Sequence, residues 1–347
     1  MIKTINAWRG LFALSIVLFH ADVPLVWNMA WSGLTFFFIV SSFLLSMHHG
    51  DEPLTGVGYC RFAARHAMRL YPLHWLSLLL LLALWALFEP RHVDAGTLTL
   101  NALLLQAWSP VHEVHYSFNT VSWYLSALLF CYLCFPFAVR LLSRWRLRYQ
   151  LLLLAVLAVV LGMVVLPLDI PGREAVHVNP LSHLLDLCVG ITLLRVYRLM
   201  KPRCAGIGYA GRSCIEVGAL VLLVVSWCLN RYTSLVHPWE DNLLWIVPQS
   251  CLILTCALLD GREGILGRLL LCKPLQWLGG ISFELFMLQF VAFLLANYVV
   301  SPVLGHWGIN SYDQMIWIAL PLLVVLSWAV NRWFTQPVRM WLRQKGC

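Results

Sequence analysis

The stretch LLLLAVLAVVLGMVVLPL, residues Leu151 to Leu168, holds no ionisable side chain over eighteen positions. A helix of that length covers about 27 Å, close to the ~30 Å hydrocarbon core of a bilayer. Its flanks differ in charge: Arg140, Arg144, Arg146 and Arg148 precede it, and Asp169 follows it. An apolar helix with a basic end and an acidic end reads as a membrane span of fixed orientation.

The same pattern recurs along the chain of 347 residues, which is 61% hydrophobic and only 12% charged. Soluble domains average about a quarter charged, so a soluble globular class is excluded. Spans read at roughly 8–27, 30–47, 73–88, 121–139, 150–168, 181–198, 214–229, 242–259, 276–300 and 314–334. Leu98–Trp108 is too short for a span and is left as re-entrant, interfacial or a weak span. With the amino terminus in the cytosol and the spans alternating, 21 of the 24 basic residues fall on the cytosolic side. The other side holds only Arg91, Arg173 and Arg231, with Glu89, Asp94, Glu113, Asp169, Glu174, Glu240 and Asp241. An eleventh span at Leu98–Trp108 would destroy this asymmetry. The expected fold is therefore an all-α polytopic bundle of about ten transmembrane helices with both termini cytosolic, one integral-membrane domain over residues 1–347.

The formal charge of +8 follows from that topology, so nucleic acid is not an expected partner. The first apolar segment lacks a small-residue cleavage site and does not read as a signal peptide. The cysteines lie mostly inside apolar segments, and Cys131 and Cys134 occupy one helical face, which reads as packing rather than zinc or redox chemistry. His48, His49, His112 and His115 lack the companions of a zinc site, so no metal is expected. No internal repeat stands out.

Ionisable residues inside the spans are costly in lipid and default to a functional hypothesis. In NAWRGLFALSIVLFHADVP, Asn6 to Pro24, Arg9 and His20 are eleven residues apart. At 100° per residue they return to within about 20° of one direction, about 16 Å apart along the axis. Pro24 cannot supply the amide that would bond the His20 carbonyl, so a kink or an end is expected there. Taken singly, Arg9 reads as a cytosolic anchor and His20 as an interfacial residue; as a pair on one face they read as a functional element, with His20 the general base. Arg61, Arg65 and Arg69 recur every fourth residue and form one stripe, fit either to anchor the helix on anionic lipid or to hold the phosphates of a nucleotide-like donor. Asp186, Glu216 and Glu284 also lie within spans, and each should be protonated, paired or facing water. Asp186 is a candidate partner of His20 or of an arginine.

Arg9-x10-His20 resembles the Arg-x10-His motif of the membrane-bound acyltransferase family 3, integral O-acyltransferases of bacterial surface glycans. TFFFIVSSFLLS (Thr35–Ser46), RFAARHAMRLYP (Arg61–Pro72), SWYLSALLFCYLCFP (Ser122–Pro136), WLGGISFELFMLQF (Trp277–Phe290) and FTQPVRMWLR (Phe334–Arg343) are similar to further motifs of that family, in family order. The departures are Asn6 for an aspartate, Ser42 for a glycine, His66 for the first arginine of an R-x-x-R, Gln289 for a histidine and Gln336 for a glutamate. Leu128 and Leu129 stand where one large subgroup carries glutamates. The resemblance implies the stand-alone form, without an extracellular esterase-type domain.

What the resemblance implies is transfer of an acyl group, acetyl above all, from cytosolic acyl-CoA to a hydroxyl of an extracytoplasmic glycan or glycolipid. The place would be the bacterial inner membrane, with membrane lipid as surroundings and no cofactor beyond the donor. His20 would be the base or an acyl relay, and Arg9 would act nearer the donor. Arg61, Arg65 and Arg69 would bind the donor's phosphates, and Asp186, Trp123, Ser282 and Gln289 stand as supporting positions. Trp123 and Ser282 read equally well as packing residues. Two rivals stay open: a proton-coupled transporter or polyisoprenoid-glycan flippase, and a non-catalytic membrane sensor. A transporter would use the same ionisable residues as a proton relay, but no paired repeats with interrupted helices accompany them.

The topology yields the first prediction. Single cysteines near Arg144 and near Arg173, in a cysteine-free background, label from opposite sides of sealed vesicles. Labelling from one side would sink the ten-span arrangement.

Overall fold

The computed structural model describes all residues except 1, 24–25, 27–28, 50–55, 234–242, 301, 303–311 and 345–347. Among the described residues every regular element is helical. The α-helices of six or more residues are, in chain order, α1 (Lys3–His20), α2 (Met29–His49), α3 (Gly56–Phe88), α4 (Ala95–Ala102), α5 (Trp123–Ser143), α6 (Leu147–Val165), α7 (Ile170–Val178) and α8 (Leu184–Cys204). There follow α9 (Tyr209–Tyr232), α10 (Leu243–Leu258), α11 (Ile265–Leu270), α12 (Lys273–Gly280), α13 (Ser282–Leu295), α14 (Tyr312–Val330) and α15 (Gln336–Gln344).

Among the described residues eight helical stretches are long and apolar enough to cross a membrane, where the sequence reading has ten. The other two correspond to α1 and α10. The first carries Lys3, Asn6, Arg9 and His20, and the second is only 16 residues long. Both bury many side chains against protein. A helix shielded from lipid by its neighbours can be less apolar and shorter than a lipid-facing one. Boundaries shift as well. The 73–88 segment is the second half of α3, which runs for 33 residues and carries Pro72 inside it. The 276–300 segment is broken at Ile281 into α12 and α13.

The residues fall into two compact units, Met1–Thr55 with Phe130–Gly280, and Gly56–Leu129 with Ile281–Cys347. In the first, an apolar core of Ile5, Phe12, Phe36, Ile39, Phe43 and Trp245 holds α1, α2, α8 and α10 together. Two close approaches set its packing. A Cβ on Gly190 of α8 would lie 2.5 Å from the Ser42 Cβ and 2.6 Å from the Ile39 carbonyl oxygen on α2. Ser42, standing for the family's glycine, still fits because Gly190 faces it, and its hydroxyl turns back to the Phe38 carbonyl at 3.0 Å. A Cβ on Gly279 of α12 would lie 1.9 Å from the Asn6 carbonyl oxygen, so α12 meets α1 backbone to backbone. Small residues at helix contacts are what let membrane helices approach this closely.

In the second unit, α4 answers the ambiguity of Leu98–Trp108. It ends at Ala102 and does not cross. Asp94 caps its start by accepting from the Thr97 amide at 2.7 Å, and the Thr97 amide and hydroxyl hold that carboxyl below the ordinary range. Its end is capped from α3: the Tyr71 hydroxyl donates to the Leu103 carbonyl at 2.9 Å, His74 Nε2 to Asn101 at 2.9 Å, and Trp75 Nε1 to Ala102 at 2.9 Å. Positions 71, 74 and 75 share one face of α3. His74 lies fourteen residues before the end of α3, about 21 Å along the helix path, so the turn after α4 sits beside the middle of that helix and not at its end. Eight residues are too few for α4 to cross a bilayer.

Gly279→Ala tests the backbone contact. Its methyl has no room without a shift of α1, so the expected loss is about 3 kcal/mol, the upper end for overpacked sites. Gly206→Ala, where a Cβ meets nothing within 4 Å, serves as control and should move stability by less than about 1 kcal/mol. Thermal unfolding in detergent reads both; equal stability of the two variants would refute the packing.

Candidate functional site

Arg9 and His20 lie on one uninterrupted helix, so the shared face expected from their spacing is present, with both side chains half-buried. The helix stops at His20 by a device the sequence reading did not anticipate. Asp22 adopts the left-handed conformation, φ 60°, while its amide bonds the Phe19 carbonyl at 3.0 Å and the Val23 amide bonds Leu18 at 3.0 Å. That pair of bonds around a left-handed residue is a Schellman stop. Aspartate is among the few side chains that tolerate this backbone, and His-Ala-Asp was the available signal. Pro24, the break expected from sequence, lies outside the described residues.

Three residues before Arg9, Asn6 faces α12. Its Nδ2 donates to the Gln276 carbonyl at 2.9 Å and to Gln276 Oε1 at 3.3 Å, and Gln276 Nε2 donates to the Lys3 carbonyl at 2.9 Å. An aspartate at position 6 could not donate to either acceptor, so Asn6 and Gln276 are a matched pair.

The carboxylates inside the spans resolve differently. Asp186 is fully buried and its Oδ2 lies 3.0 Å from His183 Nδ1. The other ring nitrogen, Nε2, faces the His177 carbonyl at 2.9 Å, and the ring stacks on Phe38 at 3.9 Å between centroids. Both ring nitrogens of His183 are thus engaged within the protein, and the residue is a structural partner of Asp186. The sequence reading passed over His183; its position one turn before Asp186 was the signal. In α7, burial pushes the neighbouring His177 well below the ordinary imidazole value. Glu216 accepts from the amides of Gly264, Leu266 and Gly267 at 2.8, 2.9 and 3.1 Å, holding the start of α11. Glu284 is fully buried, and neither carboxyl oxygen has a hydrogen-bond partner among the described residues.

In the second unit Arg61, Arg65 and Arg69 all belong to α3, which confirms that the stripe is helical. Arg61 and Arg69 are exposed and Arg65 half-buried. His66, standing for the family's arginine, turns inward instead: its Nδ1 bonds the Phe62 carbonyl at 2.8 Å and its ring packs on Phe62. Trp123 is buried at the start of α5. Ser282 and Gln289 are buried and share a face of α13, about 10 Å apart along it. Gln289 Nε2 donates to the Phe286 carbonyl on its own helix at 2.8 Å. Arg9, His20 and Asp186 thus lie in the first unit, and the arginine stripe, Trp123, Ser282 and Gln289 in the second.

A family model described as an acyltransferase domain matches residues 2–332. The chain belongs to acyltransferase family 3. The match takes in both units and every motif quoted above except the C-terminal one, Phe334–Arg343, before which it stops at residue 332. Among curated proteins, "Acyltransferase MdmB" of Streptomyces mycarofaciens is 31% identical over 112 residues, 31% of this chain and 28% of that protein. The match therefore spans less than a third of that relative's length. No solved structure matches the chain. With its apolar helices, this acyltransferase family 3 member is a multi-pass membrane protein.

Proposed function

We propose that the protein transfers an acyl group, acetyl above all, from cytosolic acyl-CoA to a hydroxyl of a glycan or glycolipid outside the cytoplasm, in a bacterial inner membrane. The observation that carries the reading is α1: an arginine and a histidine on one face of a single helix, in a chain of acyltransferase family 3. The acceptor oxygen attacks the thioester carbonyl, the carbon–sulfur bond breaks, and the acceptor's proton leaves through His20 to the departing thiolate. General-base assistance of this kind is worth about 10²–10⁴ in rate. Arg9, eleven residues toward the cytosolic end, acts on the donor side. Arg65 and Arg69 suit the donor's phosphates, because a guanidinium forks onto two oxygens at once. In the ten-span topology expected from the charge pattern, with both termini cytosolic, these arginines fall on the side of the donor. The sealed position of His183 supports His20 over it as the base.

Two predictions follow from this reading. In a reconstituted assay His20→Gln, which keeps size and polarity but not basicity, loses more than a hundredfold in acyl transfer and keeps acyl-CoA affinity; transfer near the wild-type rate would make His20 structural. Arg65→Ala or Arg69→Ala weakens acyl-CoA binding about ten- to a hundredfold, the worth of a charge-assisted contact, about 1.5–3 kcal/mol. Unchanged affinity with impaired membrane insertion would assign the stripe to lipid anchoring. Binding of acetyl-CoA also separates this reading from a transporter, which has no use for it.

A further inference from the structure

Six polar side chains of the second unit are fully buried about the turn after α4: His74, Ser77, Asn101, Gln106, Asn119 and Ser122. They form one linked cluster. Asn101 Nδ2 donates to the Ser117 carbonyl at 2.9 Å, Asn119 Nδ2 donates to the Met287 carbonyl at 2.9 Å and to Ser77 Oγ at 3.1 Å, and Gln106 Nε2 donates to Ser122 Oγ at 3.1 Å. His74 Nε2 meets the Asn101 carbonyl, as described above.

The direction of these bonds carries the argument. A carbonyl only accepts, so the carbonyls of Asn101, Ser117 and Met287 fix the hydrogen of His74 on Nε2 and the amide nitrogens of Asn101 and Asn119 toward the main chain. The atoms at the other ends are all acceptors: His74 Nδ1, Asn101 Oδ1, Asn119 Oδ1 and, beside them, Gln106 Oε1. None has a hydrogen-bond partner among the described residues. Buried acceptors without donors are rare in folded proteins, and four in one cluster ask for a ligand that brings hydrogens. The backbone is held in an unusual state to present them. Leu104, between Asn101 and Gln106, and Phe118, next to Asn119, both have φ 57°, a conformation costly for bulky side chains.

We propose that this cluster is a subsite for a hydroxyl-rich ligand, the sugar acceptor, whose O–H groups donate to His74 Nδ1, Asn101 Oδ1, Gln106 Oε1 and Asn119 Oδ1. The inference rests on the acyl-transfer reading above. An array of bare acceptors suits hydroxyls and repels phosphate or carboxylate, which bring no hydrogen. Four of its six residues, Asn101, Gln106, Asn119 and Ser122, belong to the segment from Glu89 to Ser122, which the charge pattern assigns to the side away from the cytosol, where the acceptor glycan lies. His74 is also five residues from Arg69 and nine from Arg65 on α3, about 8 and 14 Å along the helix path. The acceptor would therefore be held deep, on the donor-ward stretch of α3.

The test uses the full-length protein in detergent, with two probes: acetyl-CoA, and the surface polysaccharide of the producing cells stripped of its esters by mild base. Gln106→Met weakens polysaccharide binding about tenfold, the loss of one hydrogen bond, and leaves acetyl-CoA affinity and unfolding temperature close to the wild type; His74→Phe, which also bares the Asn101 carbonyl, weakens polysaccharide binding and lowers the unfolding temperature while acetyl-CoA affinity stays. His74→Gln, which restores an N–H donor and an acceptor oxygen, keeps most of the affinity. Wild-type polysaccharide affinity in both variants overturns the subsite, and so does absence of polysaccharide binding by the wild-type protein. A loss in Gln106→Met matched by falls in acetyl-CoA affinity and unfolding temperature also overturns it, marking the cluster as a site of structural water. If the wild-type protein binds the polysaccharide without acylating it, the acyl-transfer reading fails and the subsite stands.

Discussion

A main-chain carbonyl left bare inside a bilayer costs several kilocalories per mole, because no water is there to receive it. The second unit is arranged around that constraint. Once α4 turns back beside α3, its last carbonyls must find donors from protein, and Tyr71, His74 and Trp75 supply them from one face of a neighbouring helix. Those bonds fix where the turn sits and which end of the His74 ring carries hydrogen, while the carbonyls of Ser117 and Met287 orient the amides of Asn101 and Asn119. The polar interior of this unit, with its array of acceptors, is a consequence of satisfying the backbone first.

The first unit meets the same medium in another way. Its helices are joined at points where side chains are nearly absent, at Gly279 against Asn6 and at Gly190 against Ser42. Contact at that range lets main chain and short amides bond between helices, as Asn6 and Gln276 do. It also explains how α1 can carry an arginine and a histidine: a helix held this closely by protein is not asked to be apolar. Glu216 and Asp186 each meet a nearby structural demand, one accepting from the amides of α11 and the other lying against His183. Glu284 does not fit this pattern, and nothing in the structure explains its position.

Two departures from the family pattern prove to be local adjustments. Ser42 is tolerated because its partner across the contact is a glycine, and Asn6 is matched by an amide that an aspartate could not serve. His66 is a different case: it has left the exposed stripe for the interior, so the cationic row on α3 consists of Arg61, Arg65 and Arg69 alone. Gln289, where the family usually has a histidine, donates to the Phe286 carbonyl of its own helix.

The sequence by itself determined the class of fold, because hydrocarbon thickness and charge asymmetry are written in composition: long runs such as Leu151–Leu168, and arginines on one side. It also determined the shared face of Arg9 and His20 and the stripe on α3, since helical periodicity needs only spacing. What it left undecided were features that depend on a partner distant in the chain. That α4 turns back rather than crosses is settled by donors on α3, some thirty residues earlier. That α1 stops just before Asp22 rests on a left-handed backbone conformation that aspartate permits but does not dictate. That Asp186 meets His183, and that α1 and α10 are shielded well enough to be less apolar or shorter, follow from packing. Periodicity is local and survives in one dimension; the satisfaction of buried polar groups is settled only when the helices meet.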